Sequence, residues 1–314
     1  MKRPPVVALA GGVGAARFLD GLARVLAPER LFVIGNTGDD AEIHGLHISP
    51  DLDTVTYTLA GLADRKRGWG IRGDRFRCLE ALGRLGAETW FQLGDRDLAT
   101  HIYRTERLRQ GATLTQVTAE IMRAFEVGST IVPMSDEPVR TRICTASGEL
   151  EFQTYFVKRR ARDSVAGVRF EGADRAASAP GVLEAIEQAE AIIVCPSNPF
   201  ISVGPILAVP GIREALRARR DRVAAISPIV GGRALKGPAA DMMRSMKIRC
   251  AAAEVACLYA DFAGIFVLDE VDRKQGGEVE SQGMRPVVTN TIMSGRRERK
   301  SLARAVTEAL GVDA

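Results

Sequence analysis

The sequence predicts an α/β protein, a Rossmann-like, doubly wound, mainly parallel sheet with an inserted helical and small β region. Three observations carry this. Short unbroken apolar runs at residues 6–10, 31–34, 191–195 and 223–226 have strand length, and unbroken apolarity marks strands buried on both faces. Segments of helical period alternate with them. The first run closes on Gly11-Gly12-Val13-Gly14 and passes straight into a helical pattern, the strand–turn–helix start of a nucleotide-binding fold.

Taken in order, residues 6–10 form a buried strand ending at glycine. Residues 14–26 place Phe18, Leu19, Leu22, Val25 and Leu26 at helical spacing, and 31–34 form the second strand. A strand, helix and strand so connected make a right-handed βαβ unit. Residues 51–63, 74–86, 96–110 and 114–126 carry helical spacing. Ile131-Val132-Pro133 leads into a hairpin, 139–145 and 150–157 about Ser147-Gly148, with a third strand at 165–170. The α/β pattern then resumes. Helices are expected at 181–188, near 211–219 and at 252–260, and strands at 191–195, 223–227, 263–268 and 287–289. Leu302, Val306 and Leu310 mark a closing amphipathic helix. Residues 1–54 and 180–314 therefore read as the Rossmann-like nucleotide-binding core, and 55–179 as the inserted region.

The 314 residues suffice for a large core. Lys and Arg number 43 against 39 Asp and Glu, a net charge of +4. No long basic run has interleaved aromatics, so nucleic acid is not an expected partner. Arg217-Ala218-Arg219-Arg220 and Arg296-Arg297-Glu298-Arg299-Lys300 read as solvated helix faces. Five dispersed cysteines with no C-x-x-C pair suit reduced thiols in a cytoplasmic protein and exclude a zinc framework. His44 and His47 have no evident third ligand. No apolar stretch reaches membrane-spanning length, and the N-terminal run is broken too early for a signal peptide.

Two acidic clusters carry the chemistry. Asn36-Thr37-Gly38-Asp39-Asp40 ends the second strand, and Pro50-Asp51-Leu52-Asp53-Thr54 follows closely. Asp39, Asp40, Asp51 and Asp53 repel one another at the mouth of a sheet unless a cation lies between them. A hard divalent ion with oxygen ligands is the simplest remedy. Asp51 and Asp53 also suit the first turn of a helix as caps, and the residues alone leave both readings open. Gly11-Gly12-Val13-Gly14 is an anion-binding turn or merely a tight one. It lacks the third glycine of a dinucleotide fingerprint, since Arg17 stands there, and the Gly-Lys-Ser/Thr of a P-loop. Gly94-Asp95-Arg96-Asp97 opens a helix on which Arg96, His101 and Arg104 fall partly along one side. Cys195-Pro196-Ser197-Asn198-Pro199 follows a buried strand, where doubly wound folds bind ligands, and Ser227-Pro228-Ile229 repeats that arrangement. Cys195 has no histidine partner to make it a nucleophile.

Those segments, with Gly11 to Phe18, Leu93 to Asp97, Ala99-Thr100-His101 and Pro133-Met134-Ser135-Asp136, occur in an order that resembles the 2-phospho-L-lactate transferase family of coenzyme F-420 biosynthesis. The resemblance covers nearly the whole chain. It implies a magnesium-dependent enzyme, often a homodimer, with a Rossmann-like core. The terminal ribityl hydroxyl of the deazaflavin Fo attacks a guanosine diphospho donor at the phosphorus beside a lactate-type acid, and GMP leaves. The resemblance puts nucleotide phosphates on Gly11, Gly12, Val13 and Gly14 and near Ser197 and Asn198, and Mg²⁺ or Fo on Asp39, Asp40, Asp51 and Asp53. It makes Gln92, Met134, Ser135 and Asp136 further acceptor contacts. Asp51 or Asp53 would orient or deprotonate the hydroxyl, with Arg96 or Arg17 steadying a phosphate or the small carboxylate. Asp53→Ala is then expected to abolish transfer and leave the fold intact. The donor's acid, whether lactate, enolpyruvate or glycerate, is not readable from these residues. A non-enzymatic nucleotide-sugar-binding regulator of similar core is the alternative, and an NAD-dependent dehydrogenase is disfavoured by the missing glycine.

Overall fold

The computed structural model describes residues 3–313; Met1, Lys2 of the basic N-terminal stretch, and Ala314 lie outside the described residues. The expected βαβ unit opens the chain as β1 (Val6–Ala10), α1 (Gly12–Leu22) and β2 (Leu31–Gly35). A short hairpin follows, β3 (Ala41–Ile43) and β4 (Leu46–Ile48), turning on His44 and Gly45, both at positive φ. Next come α2 (Pro50–Leu59), α3 (Arg77–Arg84), α4 (Asp95–Arg109), α5 (Leu114–Ala124) and β5 (Thr130–Pro133). β6 (Arg140–Thr145), β7 (Gly148–Glu151) and β8 (Val165–Glu171) build a separate antiparallel sheet of order β7-β6-β8. The second half runs α6 (Val182–Gln188), β9 (Ala191–Val194), α7 (Gly204–Ala208), α8 (Ile212–Ala218), β10 (Val223–Ile226) and the hairpin β11 (Ile229–Val230) with β12 (Arg233–Ala234). It closes with α9 (Ala239–Ser245), α10 (Ala252–Tyr259), β13 (Ile265–Asp269), α11 (Gly276–Ser281), β14 (Arg285–Thr289) and α12 (Arg296–Ala309).

Seven strands form the central sheet in the order β14-β13-β10-β9-β1-β2-β5, every neighbouring pair parallel. Counted from β1, the chain adds β2 and β5 on one side and then β9, β10, β13 and β14 on the other. The winding reverses between β1 and β9. Strand alternation splits the core in two. Val7 and Leu9 face a layer containing Ile186, Ile206, Leu216 and Val255. Val6, Ala8 and Ala10 face Phe18, Leu19, Leu302 and Val306. Both faces are covered, which is why these strands read as unbroken apolar runs.

Two expectations need correction. Residues 131–133 are no lead-in to the hairpin. They belong to β5, the edge strand of the central sheet, paired with β2 from Phe32↔Thr130 to Gly35↔Pro133. Pro133, which has no N–H to donate, is tolerated there because it ends an edge strand. A strand from within 55–179 is thus part of the core sheet. The strand expected at 150–157 stops at Glu151 and turns into a helical segment, Thr154–Lys158, with the wide π spacing. Phe152 and Phe156 lie four residues apart and stack at 5.4 Å, the spacing of a helix rather than of a strand. The β3–β4 hairpin was hidden because three-residue strands carry too few residues to display a period of two.

Candidate active site

A cleft of about 470 Å³ opens above the C-terminal ends of the central strands. Its floor is made of residues that directly follow those strands, Gly11 to Gly14 after β1, Asp39 after β2, Pro196 to Asn198 after β9, Ser227 and Pro228 after β10, and Thr291 and Met293 after β14. The reversal of winding between β1 and β9 leaves a crevice, the site at which open α/β sheets bind ligands. Here the crevice is stitched shut at its base, since the Ser197 hydroxyl donates to the Gly11 carbonyl at 2.8 Å. A Cβ on Gly14 would overlap the Pro196 carbonyl oxygen, and one on Gly11 would lie 2.7 Å from both Asp51 Oδ2 and Ser202 Cβ. Glycine is therefore required by close approach at both positions. α1 starts at this turn with no side-chain cap; the Gly12 N–H goes to Asp51, and the first-turn N–H groups after it are left for an anion. Asn198 lines the cleft but uses its side-chain oxygen to cap the Phe200 N–H.

The four aspartates are all buried, yet they do not form one cluster. Asp40 accepts from Ser49 Oγ at 2.8 Å and lies 2.9 Å from His47 Nε2. Asp53 is paired in a fork with the guanidinium of Arg104, which is itself buried. Asp39 and Asp51 remain without a cationic partner among the described residues. Asp51 is held by Asn36 Nδ2 at 2.9 Å and by the Gly12 N–H. Burial pushes its carboxyl up to about 6. Burial, and then repulsion from Asp51, raises Asp39 well above the usual carboxylate range. Asp39 Oδ1 has no hydrogen-bond partner among the described residues. Among those residues, no three His, Cys, Asp or Glu side chains converge as a metal site. Of the four expected carboxylates, Asp53 is paired with Arg104 and Asp40 has His47 and Ser49 on one oxygen, though its Oδ1 is buried without a hydrogen bond and its charge still acts on Asp39 and Asp51.

Beside this pair, α2 and α4 share a buried polar network. Tyr57 donates to Asp97 Oδ1 at 2.7 Å, and His101 lies 3.3 Å from Asp97 and 3.6 Å from Asp53. Burial opposes ionisation of Asp97, but hydrogen bonds from His101 and Tyr57 outweigh it and hold its carboxyl below the ordinary value. The inward side of α4 is thus Asp97, His101 and Arg104, at i, i+4 and i+7. Arg96 is a further correction. It is exposed and does not line the cleft, because it lies one residue off that side. The spacing noted in the sequence does hold for His101 and Arg104.

The cleft is also lined by the aromatic residues Trp69, Phe91, Phe152 and Phe156 and by Gln92 and Gln153. Gln92 lines the cleft. Met134, Ser135 and Asp136 do not line the cleft. Met134 is fully buried in the core, Ser135 bonds Glu137, and Asp136 accepts the Thr115 N–H at the start of α5. Sequence reasoning missed Asn36 as an anchor, and Tyr57, Trp69, Phe152 and Lys236 as cleft residues. Only Asn36 had a signal, its place inside the acidic segment. Cys195 is buried and its thiol is pushed up by that burial, which leaves no nucleophilic thiolate.

The 2-phospho-L-lactate transferase CofD family model matches residues 6–308. The chain belongs to that family. A Methanosarcina mazei protein named 2-phospho-L-lactate transferase is 41% identical over 304 residues, 97% of this chain and 100% of that one. A Streptomyces griseus protein named phosphoenolpyruvate transferase is also 41% identical, over 96% of this chain and 97% of its own. A crystal structure of a upf0052-family protein from Bacillus halodurans superposes with a TM-score of 0.64 over 98% of this chain and 99% of that one, at 15% identity. That likeness speaks to the fold alone. As a member of this family the chain is a transferase of coenzyme F-420 biosynthesis, and the regulatory reading gains no support. No helix among the described residues is long and apolar enough to cross a membrane.

Proposed function

We propose that the cleft transfers a phospholactate-type group from a guanosine diphospho donor to the terminal ribityl hydroxyl of Fo, releasing GMP. One observation carries this reading above the others. Asp51 lies against the glycine turn at the sheet's switch point, so that a Gly11 Cβ would touch its carboxylate, and the other unpaired acid, Asp39, is close enough to be repelled by it. Phosphate cradle and cation-seeking acids thus occupy one spot.

The residues fit Mg²⁺. Two buried, mutually repelling carboxylates, one with an unpartnered oxygen, suit a hard divalent ion with oxygen ligands. Bound there, the ion would neutralise charge on the diphosphate and on the departing GMP. Asp39 and Asp51 would hold it, with Asn36 fixing Asp51. The amides opening α1 would bind the phosphates, with Ser197 keeping the Gly11 turn in place. Asp53, fixed by Arg104 and lining the cleft, would orient the acceptor hydroxyl and take its proton. The hydroxyl oxygen then bonds to the phosphorus carrying the acid as that phosphorus parts from GMP. A loose phosphoryl-transfer transition state asks for positioning more than for a strong base. Phe152, Phe156, Phe91 and Trp69 offer flat apolar surface for the deazaflavin ring.

Mass spectrometry of products from Fo, Mg²⁺ and a panel of guanylated lactate, enolpyruvate and glycerate donors tests the proposal. A phospho-acyl Fo and GMP from at least one donor is expected; no product from any of them refutes it. The same panel names the acid. The resemblance also suggests a cytoplasmic homodimer, for which light scattering would give twice the chain mass.

A further inference from the structure

Two cations beside the glycine turn have no anionic partner among the described residues. Arg17 lies one turn beyond Val13 on the same side of α1. Lys236 lies in the loop between β12 and α9, and its ammonium comes within 3.0 Å of where a Gly68 Cβ would stand, with Val13 Cγ1 at 3.5 Å from the same point. Both line the main cleft. Of the nearby acids, Asp20 is engaged by Arg24 and Arg299, Asp53 by Arg104 and Asp64 by Arg67, while Asp39 and Asp51 are the pair assigned above to the metal. Burial first, and then the like charge of Arg299, lowers the pKa of Arg17; burial first, and then Arg17, lowers that of Lys236. Like charges left facing one another beside a ligand cleft await an anion.

A second, small niche of about 40 Å³ adjoins the cleft behind Val13, Arg17 and Thr54, which line both. Arg65, Arg299 and Thr58 are among its other lining residues, as are two acids, Asp20, held by Arg24 and Arg299, and Asp64, held by Arg67; Lys236 stands outside it, on the cleft side. It is too small for a nucleotide and large enough for a carboxylate-sized group. We infer that Lys236, with Arg17, seats the carboxylate of the small acid that the donor carries, at the mouth of this niche. The inference rests on the guanylated-donor reading above. It gives the two cations a task separate from the diphosphate, which the α1 amides and the Asp39–Asp51 pair address. Lys236 is thereby a binding residue that selects acidic over neutral donors.

Calorimetry with three probes decides it: GDP, the guanylated lactate donor, and the same donor with its carboxylate replaced by an amide. The unsubstituted protein is expected to prefer the acid to the amide by about 10- to 100-fold, the effect of a charge-assisted contact. Lys236→Gln, an exposed loop position whose loss leaves the fold unchanged, should erase most of that preference while GDP affinity stays within about twofold. Lys236→Arg should retain the preference. An unchanged acid-to-amide ratio in Lys236→Gln overturns the carboxylate seat alone. Equal weakening of GDP overturns it too, by moving the lysine to the diphosphate. If the unsubstituted protein binds none of the three probes, the guanylated-donor reading falls and takes the seat with it.

Discussion

At the scale of single residues, the Asp53–Arg104 pair changes what a substitution at Asp53 should do. Arg104 is buried, so Asp53→Ala would leave its charge uncompensated, and breaking a buried pair costs about 3–5 kcal/mol. The variant should lose stability in denaturant melts as well as activity, where the sequence suggested an intact fold. An unchanged melt would show that the pair is loose in solution. Asp51 makes a second prediction. Its carboxyl is raised to about 6 from 3.8, so the folded chain binds that proton more tightly than the unfolded chain does. Its contribution to stability is complete below about pH 4 and is lost as pH rises through 6, at most about 3 kcal/mol. Metal-free protein should therefore lose thermal stability between pH 4 and 7 relative to Asp51→Asn, and Mg²⁺ with GDP should restore it above pH 6 but not below 5. A difference between the two proteins that stays flat with pH would remove Asp51 from that role.

Among elements, α5 and α4 show how one residue type serves different ends. Asp136 accepts the Thr115 N–H at 2.7 Å, within the first turn of α5, and stands outside the cleft. Asp136→Ala should cost about 1 kcal/mol, as the loss of a cap does, and leave the affinity for Fo unchanged. A large fall in Fo affinity would instead restore the acceptor role that the sequence suggested. In α4, Asp74 receives the N–H groups of Arg96 and Asp97, which fixes the helix start. That in turn aims Asp97, His101 and Arg104 at the α2 carboxylate and Tyr57. The helical period made this side visible, but not which of two neighbouring arginines faced inward.

For the molecule as a whole, α12 returns the C-terminus to the first helix. Gly21 permits the approach, since a Cβ there would overlap the Arg299 backbone carbonyl, and Leu302, Ala303 and Val306 complete the core beneath the sheet. Arg299 also reaches Asp20 at 2.9 Å. Truncation before residue 295 should expose this layer, giving an aggregating protein that binds hydrophobic dye. A soluble truncated chain with full activity would contradict the packing. The same closure holds the floor of the cleft in register, because α1 carries both the glycine turn and the contact with α12.

Local pattern was enough to determine the buried strands β1, β2, β9, β10 and β13, most helices, the glycine turn and the acidic segments. Continuous apolarity in residues 6–10 or 191–194, and the 3.6-residue period of α12, follow from burial along one short stretch of chain. Tertiary structure decided what sequence distance hides. β5 joins the sheet because its partner β2 lies almost a hundred residues earlier, and no local period records pairing. Asp40 and Asp53 gain partners because His47 and Arg104 reach them in space, whereas Asp39 and Asp51 stay without a cation. A carboxylate's role depends on the charge nearest to it in three dimensions, and in this chain that charge lies up to fifty-one positions away.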